Sequence, residues 1–169
     1  MATPNVSNIT AGPAKVELAA TEIGHTSGGV GFTITPQNRA RNVDQFGSGE
    51  VDIIHTGDEC RMTVPWAEWT ADVLAEIYEP GNDQTGGTGT AYIGLGRSAG
   101  YIYTTQAAQI IPRLSADAAK KIEVFRVTPI GEVSLTHNAD DDRIFETEFA
   151  CLVDESKTDG ELIGKIYVG

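Results

Sequence analysis

The chain has few basic residues: 12 Lys and Arg stand against 24 Asp and Glu, which leaves a net charge of −12. A protein that binds nucleic acid neutralises phosphates with Lys and Arg, so this net negative charge argues against nucleic-acid binding. The acids are also unevenly spread. Residues 44–83 hold ten acids and one base, Arg61, whereas residues 84–116 hold no acid. This pattern fits either an acidic patch that meets another copy or a plain solvated face.

Long apolar runs are absent as well. No stretch approaches the roughly 18 apolar residues of a membrane helix, so we expect no membrane span. The N-terminus lacks a basic start and an apolar core, which predicts no signal peptide and synthesis in a cytoplasm. The length of 169 residues fits one domain. We expect a flexible arm over residues 1–14, which are rich in Asn, Thr and Pro, and a single β domain over 15–169.

Cysteine and catalytic motifs are scarce. Cys60 and Cys151 lie in alternating apolar contexts without a CxxC, which predicts buried free thiols. The three histidines have no metal-ligand spacing. Ser27 lacks the G-x-S-x-G of a nucleophile elbow, and the glycines of residues 28–31 lack the Lys of a phosphate loop. Residues 140–142 are three aspartates without the glycine and distal glutamate of a calcium loop. We therefore expect no enzyme activity, no cofactor and no metal.

Alternation of apolar and polar residues predicts about eight to ten strands. These strands are drawn from extended segments, some of which continue one another: residues 16–23, 30–35, 43–47, 51–55, 60–64, 91–95, 101–105, 107–114, 122–127, 133–135, 145–152 and an edge strand in the tail. The pair 91–95 and 101–105 is interpreted as a hairpin, and residues 115–121 as a short helix capped by Ser115. The fold class is thus mainly β (α+β): a barrel or sandwich with one flanking helix and a long strand-loop-strand arm.

The flanking helix is predicted to begin at Pro65 and to end before Pro80-Gly81. Its apolar stripe would consist of Trp66, Trp69, Val73 and Ile77. Glu68, Asp72 and Glu76 follow at a spacing of four residues, which places three like charges on another face. That face would be either fully solvated or turned to a cationic partner.

Two regions carry an ordered series of motifs. The first runs from Gly24-His-Thr-Ser-Gly-Gly-Val30 through Val43-Asp-Gln-Phe-Gly47 and Val51-Asp-Ile-Ile54 to Val64-Pro-Trp-Ala-Glu68. The second is Phe145–Asp154 followed by Asp159-Gly160 and Leu162-Ile-Gly164. In order and spacing the two regions, about two-thirds of the chain, resemble phage tail tube proteins, the major tail proteins of long-tailed bacteriophages.

The resemblance implies a structural virion protein whose hexameric rings stack into a hollow tail tube. Its electronegative lumen would pass DNA into the host without binding it specifically. Residues 36–57 would be an extended inter-subunit loop, with contacts at Asp44, Gln45, Phe46, Gly47 and Asp52. Arg39 and Arg41 would pair with the acidic helix face of a neighbouring subunit (Glu68, Asp72, Glu76). Further partners would be a tape measure protein, a tail terminator and baseplate or tip proteins.

Other functions stay open at this point. The chain also fits another virion component, such as a tail terminator or a head decoration protein. Tyr92, Tyr101 and Tyr103 would offer an aromatic face for sugar in a carbohydrate-binding β-sandwich, although tyrosines on strands more often pack across them. A terminator would form rings that do not stack, a decoration protein would bind capsids, and a sugar-binding module would bind glycans as a monomer.

Overall fold

The computed structural model describes residues 12–79, 81–83, 92–134 and 144–168. Strands dominate these residues, which confirms the mainly-β class with one helix. The helix α1 is Ala71–Ile77. The strands in chain order are β1 Ala14–Leu18, β2 Thr21–Glu22, β3 Gly31–Asn42, β4 Glu50–Trp66, β5 Asn82–Asp83, β6 Ile93–Gly94, β7 Gln106–Pro112, β8 Ile122–Pro129, β9 Phe145–Cys151 and β10 Gly164–Ile166.

An eight-stranded antiparallel sheet follows the order β2-β1-β7-β8-β9-β4-β3, with β10 beside β8. The segment between β2 and β3 connects the two ends of this sheet. The Ser27 amide donates to the Pro65 carbonyl at 2.9 Å and the Ala67 amide to the His25 carbonyl at 2.9 Å. On its other side, the Thr26 hydroxyl donates to the Ala14 carbonyl at 3.3 Å. The sheet therefore curls into a barrel whose seam lies between β1 and β4.

The core fills the inside of this barrel. Along β9 buried and accessible residues alternate, and β4 does the same from Cys60 to Val64, as expected for strands with one face inside. Trp66, Phe145, Phe149 and Met62 are among the largest fully buried side chains. Cys60 and Cys151 are buried free thiols, as predicted. From α1, Val73 and Ile77 complete the cluster.

The helix prediction was wrong about where α1 begins. Pro65 and Trp66 are the last residues of β4, where Trp66 pairs with Phe145, and the helix starts only at Ala71. Thr70 is the N-cap, since its hydroxyl accepts from the Val73 amide at 3.2 Å. The three-residue spacing of Trp66 and Trp69 is compatible with a helix, but also with a strand that ends at Trp66 and is followed by a turn. Because Trp66 pairs with Phe145 of β9, the strand forms.

Several shorter predictions need correction. Residues 91–95 and 101–105 do not pair: β6 pairs with β5, and residues 101–105 form no strand. The predicted helix at 115–121 is a single 3-10 turn, Ser115–Asp117, with Leu114 rather than Ser115 at the cap. Residues 43–47 are not extended but contain a 3-10 turn. Strand β1 begins at Ala14, the last residue of the flexible N-terminal segment predicted for residues 1–14. Residues 1–11, the loop at 84–89, Leu135 and residues 140–142 lie outside the described residues.

Candidate assembly surface

The most distinctive feature is the hairpin of β3 and β4, which extends beyond the barrel. The two strands pair from Gly31 opposite Thr63 to Asn42 opposite Glu50. Strand β9 pairs with β4 only from Cys60 to Trp66. Residues 36–42 and 50–57 are therefore a two-stranded ribbon, here called the arm, rather than the loop predicted from sequence. Strands were predicted at residues 30–35, 51–55 and 60–64, but β3 and β4 are each longer than these segments.

Two bulges bend the arm. The pairing shifts between Gln37 and Asn38 and again between Arg41 and Asn42. At the first bulge Thr56 is the extra residue, and its hydroxyl donates to the Gln37 carbonyl at 2.9 Å. Gly57 beside it has φ 150, which suits glycine. Bulges increase strand twist and re-aim side chains, so the two register shifts change which way the side chains beyond them point.

The tip of the arm holds four of the predicted contact residues. Asp44–Phe46 form one 3-10 turn, and Gly47 follows with φ 64 and ψ −127, a conformation that glycine adopts without strain. The Gly47 amide donates to the Asp44 carbonyl at 3.3 Å. Asp44 and Gln45 are exposed. The structure therefore brings these residues together at the far end of the arm.

The two faces of the arm differ. Residues directly opposite in an antiparallel pair share a face, so Arg39, Ile54, Arg41 and Asp52 lie on one side. Arg39 and Arg41 make no ion pair within the described part of the chain, and the Asp52 carboxylate accepts from the Ile53 amide at 2.8 Å. The guanidinium groups are thus exposed and available for an external partner.

The opposite face of the arm is more apolar. Ala40 lies across from Ile53 and Asn38 from His55. Ile53 is 62% exposed and Val51, beside the second bulge, is 50% exposed. From the sequence, Asp52 but neither Val51 nor Ile53 was predicted as a contact residue. Within the described part of the chain both side chains are half or more exposed.

The predicted acidic helix face retains Asp72 and Glu76, which lie four residues apart within α1, but not Glu68. Glu68 precedes α1, and its carboxylate accepts from the His25 amide at 3.1 Å and contacts the His25 ring. Glu76 accepts from the Gln106 side chain. Asp72 alone is exposed, in the first turn of α1. The prediction was wrong about Glu68 because it began the helix at Pro65 instead of Ala71. Only residues within one helix share a face at a spacing of four.

A groove lies where the arm joins the barrel. Its volume is about 520 Å³, and its apolar wall includes Phe32, Ile34 and Cys60 from the strands with Val153 and Leu162 from the C-terminal segment. The Asp154 amide donates to the Leu162 carbonyl at 2.8 Å, which holds that segment in place. The residues on its two walls are about a hundred positions apart in sequence, so no local pattern predicted this groove.

Acidic side chains cover part of the barrel's outer surface. Glu132, Glu146 and Glu148 line a shallow hollow of about 430 Å³. Beside it Arg61 binds the Glu59 carboxylate at 2.7 Å and approaches Glu148 at 3.5 Å. The hydrogen bond that the Arg61 guanidinium donates to the Glu59 carboxylate is the main cause of a raised Arg61 pKa. Two carboxylates, Glu59 and Glu148, thus share one arginine, and Glu132 and Glu146 add further negative charge to this surface.

Among the described residues no group of three or more His, Cys, Asp and Glu is arranged to hold a metal ion. None of the described helices has the length and hydropathy that crossing a membrane requires. No protein-family model matches the chain, and no curated protein matches it. The features of the described residues that bear on assembly are the arm, the groove at its base and the acidic side chains on the outer surface of the barrel.

Proposed function

We propose that this chain is a structural virion protein that assembles into the stacked hexameric rings of a phage tail tube. The observation that carries the proposal is the arm. Its strands have unpaired outer edges, its tip is exposed, and it projects from an otherwise closed barrel. A two-stranded ribbon alone is marginally stable in water, so an arm of this kind is best explained by a partner that covers it.

Identical copies provide that partner. Unpaired strand edges in a monomer invite further pairing and aggregation unless they are managed. Within a ring each subunit offers the same arm to the next, and this heterologous contact closes when the rotation suits a ring. The exposed Val51 and Ile53 supply apolar area, and Arg39 and Arg41 supply charges for acidic neighbours. Asp72, the exposed acid of α1, stays a proposed partner of these arginines.

The charge of the chain supports a tube that DNA traverses. At −12 per subunit, a ring wall repels phosphates, and a duplex would slide through the lumen without specific binding. The further partners would be a tape measure protein within the tube and terminator and tip proteins at its ends. The protein has no catalytic role in this proposal, and its mature location is the virion tail.

A sugar-binding function has less support. Tyr101 donates its hydroxyl to the Glu79 carboxylate at 2.6 Å, and the Arg97 guanidinium lies 4.5 Å from the centre of its ring. Tyr103 packs edge-on to the same ring. Tyr101 and Tyr103 therefore pack against each other and against other protein groups, and of the three tyrosines Tyr92 is the most exposed at 58%.

The test is assembly of the purified chain at high concentration, viewed by negative-stain electron microscopy. We expect hollow tubes or six-fold rings. The variant Ile53→Ser, on the arm, should abolish them, and Leu114→Ser is the matched control, because Leu114 is 52% exposed on the turn after β7. Equal assembly by both variants would contradict an arm contact. Rings that never stack, binding to capsids or glycan binding by a monomer would favour the terminator, decoration or sugar-binding alternative respectively.

A further inference from the structure

The two cysteines face each other across the sheet. Cys60 of β4 is directly opposite Cys151 of β9, and this pair ends the β4–β9 ladder on the arm side. Both thiols are free, and the residues are only 5% and 8% exposed. Facing residues of antiparallel strands have Cα atoms about 4.5 or 5.5 Å apart. Either spacing lies within the range of roughly 4.4–6.8 Å that disulfides span.

The backbone hydrogen bonds identify which spacing applies. The Leu152 amide donates to the Arg126 carbonyl at 2.8 Å, and the Glu148 carbonyl accepts from the Ile130 amide at 2.9 Å. Even-numbered residues of β9 thus direct their backbone groups toward β8, and odd-numbered ones toward β4. Cys60 and Cys151 are therefore a hydrogen-bonded pair, the wider type, with Cβ atoms toward the upper end of about 4.5–5.5 Å.

Such a pair closes a disulfide only if the strands approach each other. A relaxed bridge has Cβ atoms about 3.8 Å apart, and a bond formed from a wider pair retains strain that makes it easier to reduce. The position at the end of the ladder permits this movement, because β4 continues into the arm without β9 beside it. The geometry thus favours a reversible bridge over a permanent one.

We propose that Cys60 and Cys151 are a modification site. They form a reversible cross-strand disulfide with each other, and the oxidant is a low-molecular-mass disulfide such as oxidised glutathione. The Cys60 thiolate attacks the oxidant's S–S bond, and one glutathione thiolate leaves. The Cys151 thiolate then attacks Cys60 Sγ of this mixed disulfide and displaces the bound glutathione. The two protein thiols lose two electrons and two protons, and the oxidant becomes two molecules of reduced glutathione.

Access and acidity decide the order and the rate of these steps. Cys60 lines the groove at the base of the arm, so it meets the oxidant first. Burial raises the pKa of Cys151 to about 12, and burial together with the Asp58 charge raises that of Cys60. Since the thiolate is the nucleophile, oxidation is slow near neutrality and accelerates roughly tenfold per pH unit.

The bridge would connect the base of the arm to the barrel. It would join residues far apart in the chain and so restrict the unfolded state. The oxidised protein should unfold at a higher denaturant concentration than the reduced protein, and dithiothreitol should restore the original midpoint. This inference stands apart from the proposed tube, because the register and burial of the two thiols belong to the single chain.

The test incubates the reduced full-length protein with oxidised glutathione at about pH 7 and pH 9 and follows intact mass and denatured thiol titre. We expect the mass to fall by two hydrogen atoms, the titre to fall from two thiols to none, and the change to be faster at the higher pH. Proteolytic mapping should link the Cys60 and Cys151 peptides within one chain.

Single variants test the order of steps. Cys151→Ser should stop at a glutathione adduct on Cys60, and Cys60→Ser should react much more slowly. Three results with the unchanged protein would overturn the proposal: a stable glutathione adduct without a bridge, a disulfide between two chains, or two free thiols after treatment that oxidises the denatured protein.

Discussion

Glu79, two residues after the end of α1, stabilises residues 101–104 between β6 and β7, which have no regular secondary structure. The Glu79 carboxylate accepts from the Tyr101 hydroxyl at 2.6 Å and from the Thr104 amide at 3.1 Å. Burial raises the pKa of Glu79, but these hydrogen bonds and the nearby Arg97 charge outweigh burial and leave the pKa below its ordinary value. The ionised carboxylate is therefore the form that the fold favours.

We predict that Tyr101→Phe destabilises the protein by about 1 kcal/mol at neutral pH, because it removes a hydrogen bond to a charged group. A depressed carboxylate pKa contributes stability above the unfolded pKa, and this contribution disappears as pH falls through the folded pKa. The difference in free energy of unfolding between Tyr101→Phe and the unchanged protein should thus become smaller below about pH 4. Urea unfolding measured across this range checks the prediction, with Tyr103→Phe as the control. Parallel pH profiles for Tyr101→Phe and the unchanged protein would contradict it.

At the scale of elements, hydrophobic periodicity predicted strands well where one face meets the core. The alternation at Cys60, Met62 and Val64 and that at Phe145 and Phe149 correspond to β4 and β9. It failed at Trp66 and Trp69, whose spacing suits both a helix and a strand end. Pro65 favours a first helical turn in isolation, but it also fits a strand position whose amide is not needed by a neighbouring strand. Pairing partners distant in sequence decided the outcome.

The position of α1 leads to a test at its N-terminus. Thr70→Ala should cost about 1 kcal/mol of stability, since the Val73 amide would lose its hydroxyl partner. Thr70→Ser is the matched control and should cost much less, because it keeps the hydroxyl. Chemical denaturation gives both values. If the helix instead began at Pro65, residue 70 would be interior, and alanine there would stabilise the protein.

At the scale of the whole molecule, the net charge and the arm have opposite effects on association between copies of the chain. A net charge of −12 makes copies repel, whereas the arm offers apolar and cationic groups to a neighbour. Exposed ion pairs contribute only about 0–1 kcal/mol each. Repulsion between whole subunits is long-ranged at low ionic strength, and the screening length shortens from about 30 Å at 0.01 M salt to about 3 Å at 1 M. Repulsion should therefore be the larger salt-dependent effect.

We accordingly expect self-association to increase with NaCl. Sedimentation velocity between roughly 0.01 M and 1 M salt should show a shift from monomers to larger species. The control is Ile53→Ser, which lacks an apolar arm contact and should stay monomeric across the series. Dissociation on adding salt would mean instead that the arginines of the arm, Arg39 and Arg41, dominate the contact.

The sequence by itself determined the class of the protein: a mainly-β domain, two long consecutive strands before one helix, an acidic surface and two buried thiols. These follow from local alternation and composition, which need no knowledge of distant residues. Only the tertiary structure decided that residues 36–57 are a ribbon, that Trp66 belongs to a strand, and that Cys60 faces Cys151. Strand partners, register and sheet closure depend on contacts between segments far apart in the chain, and no local pattern encodes which of these segments meet.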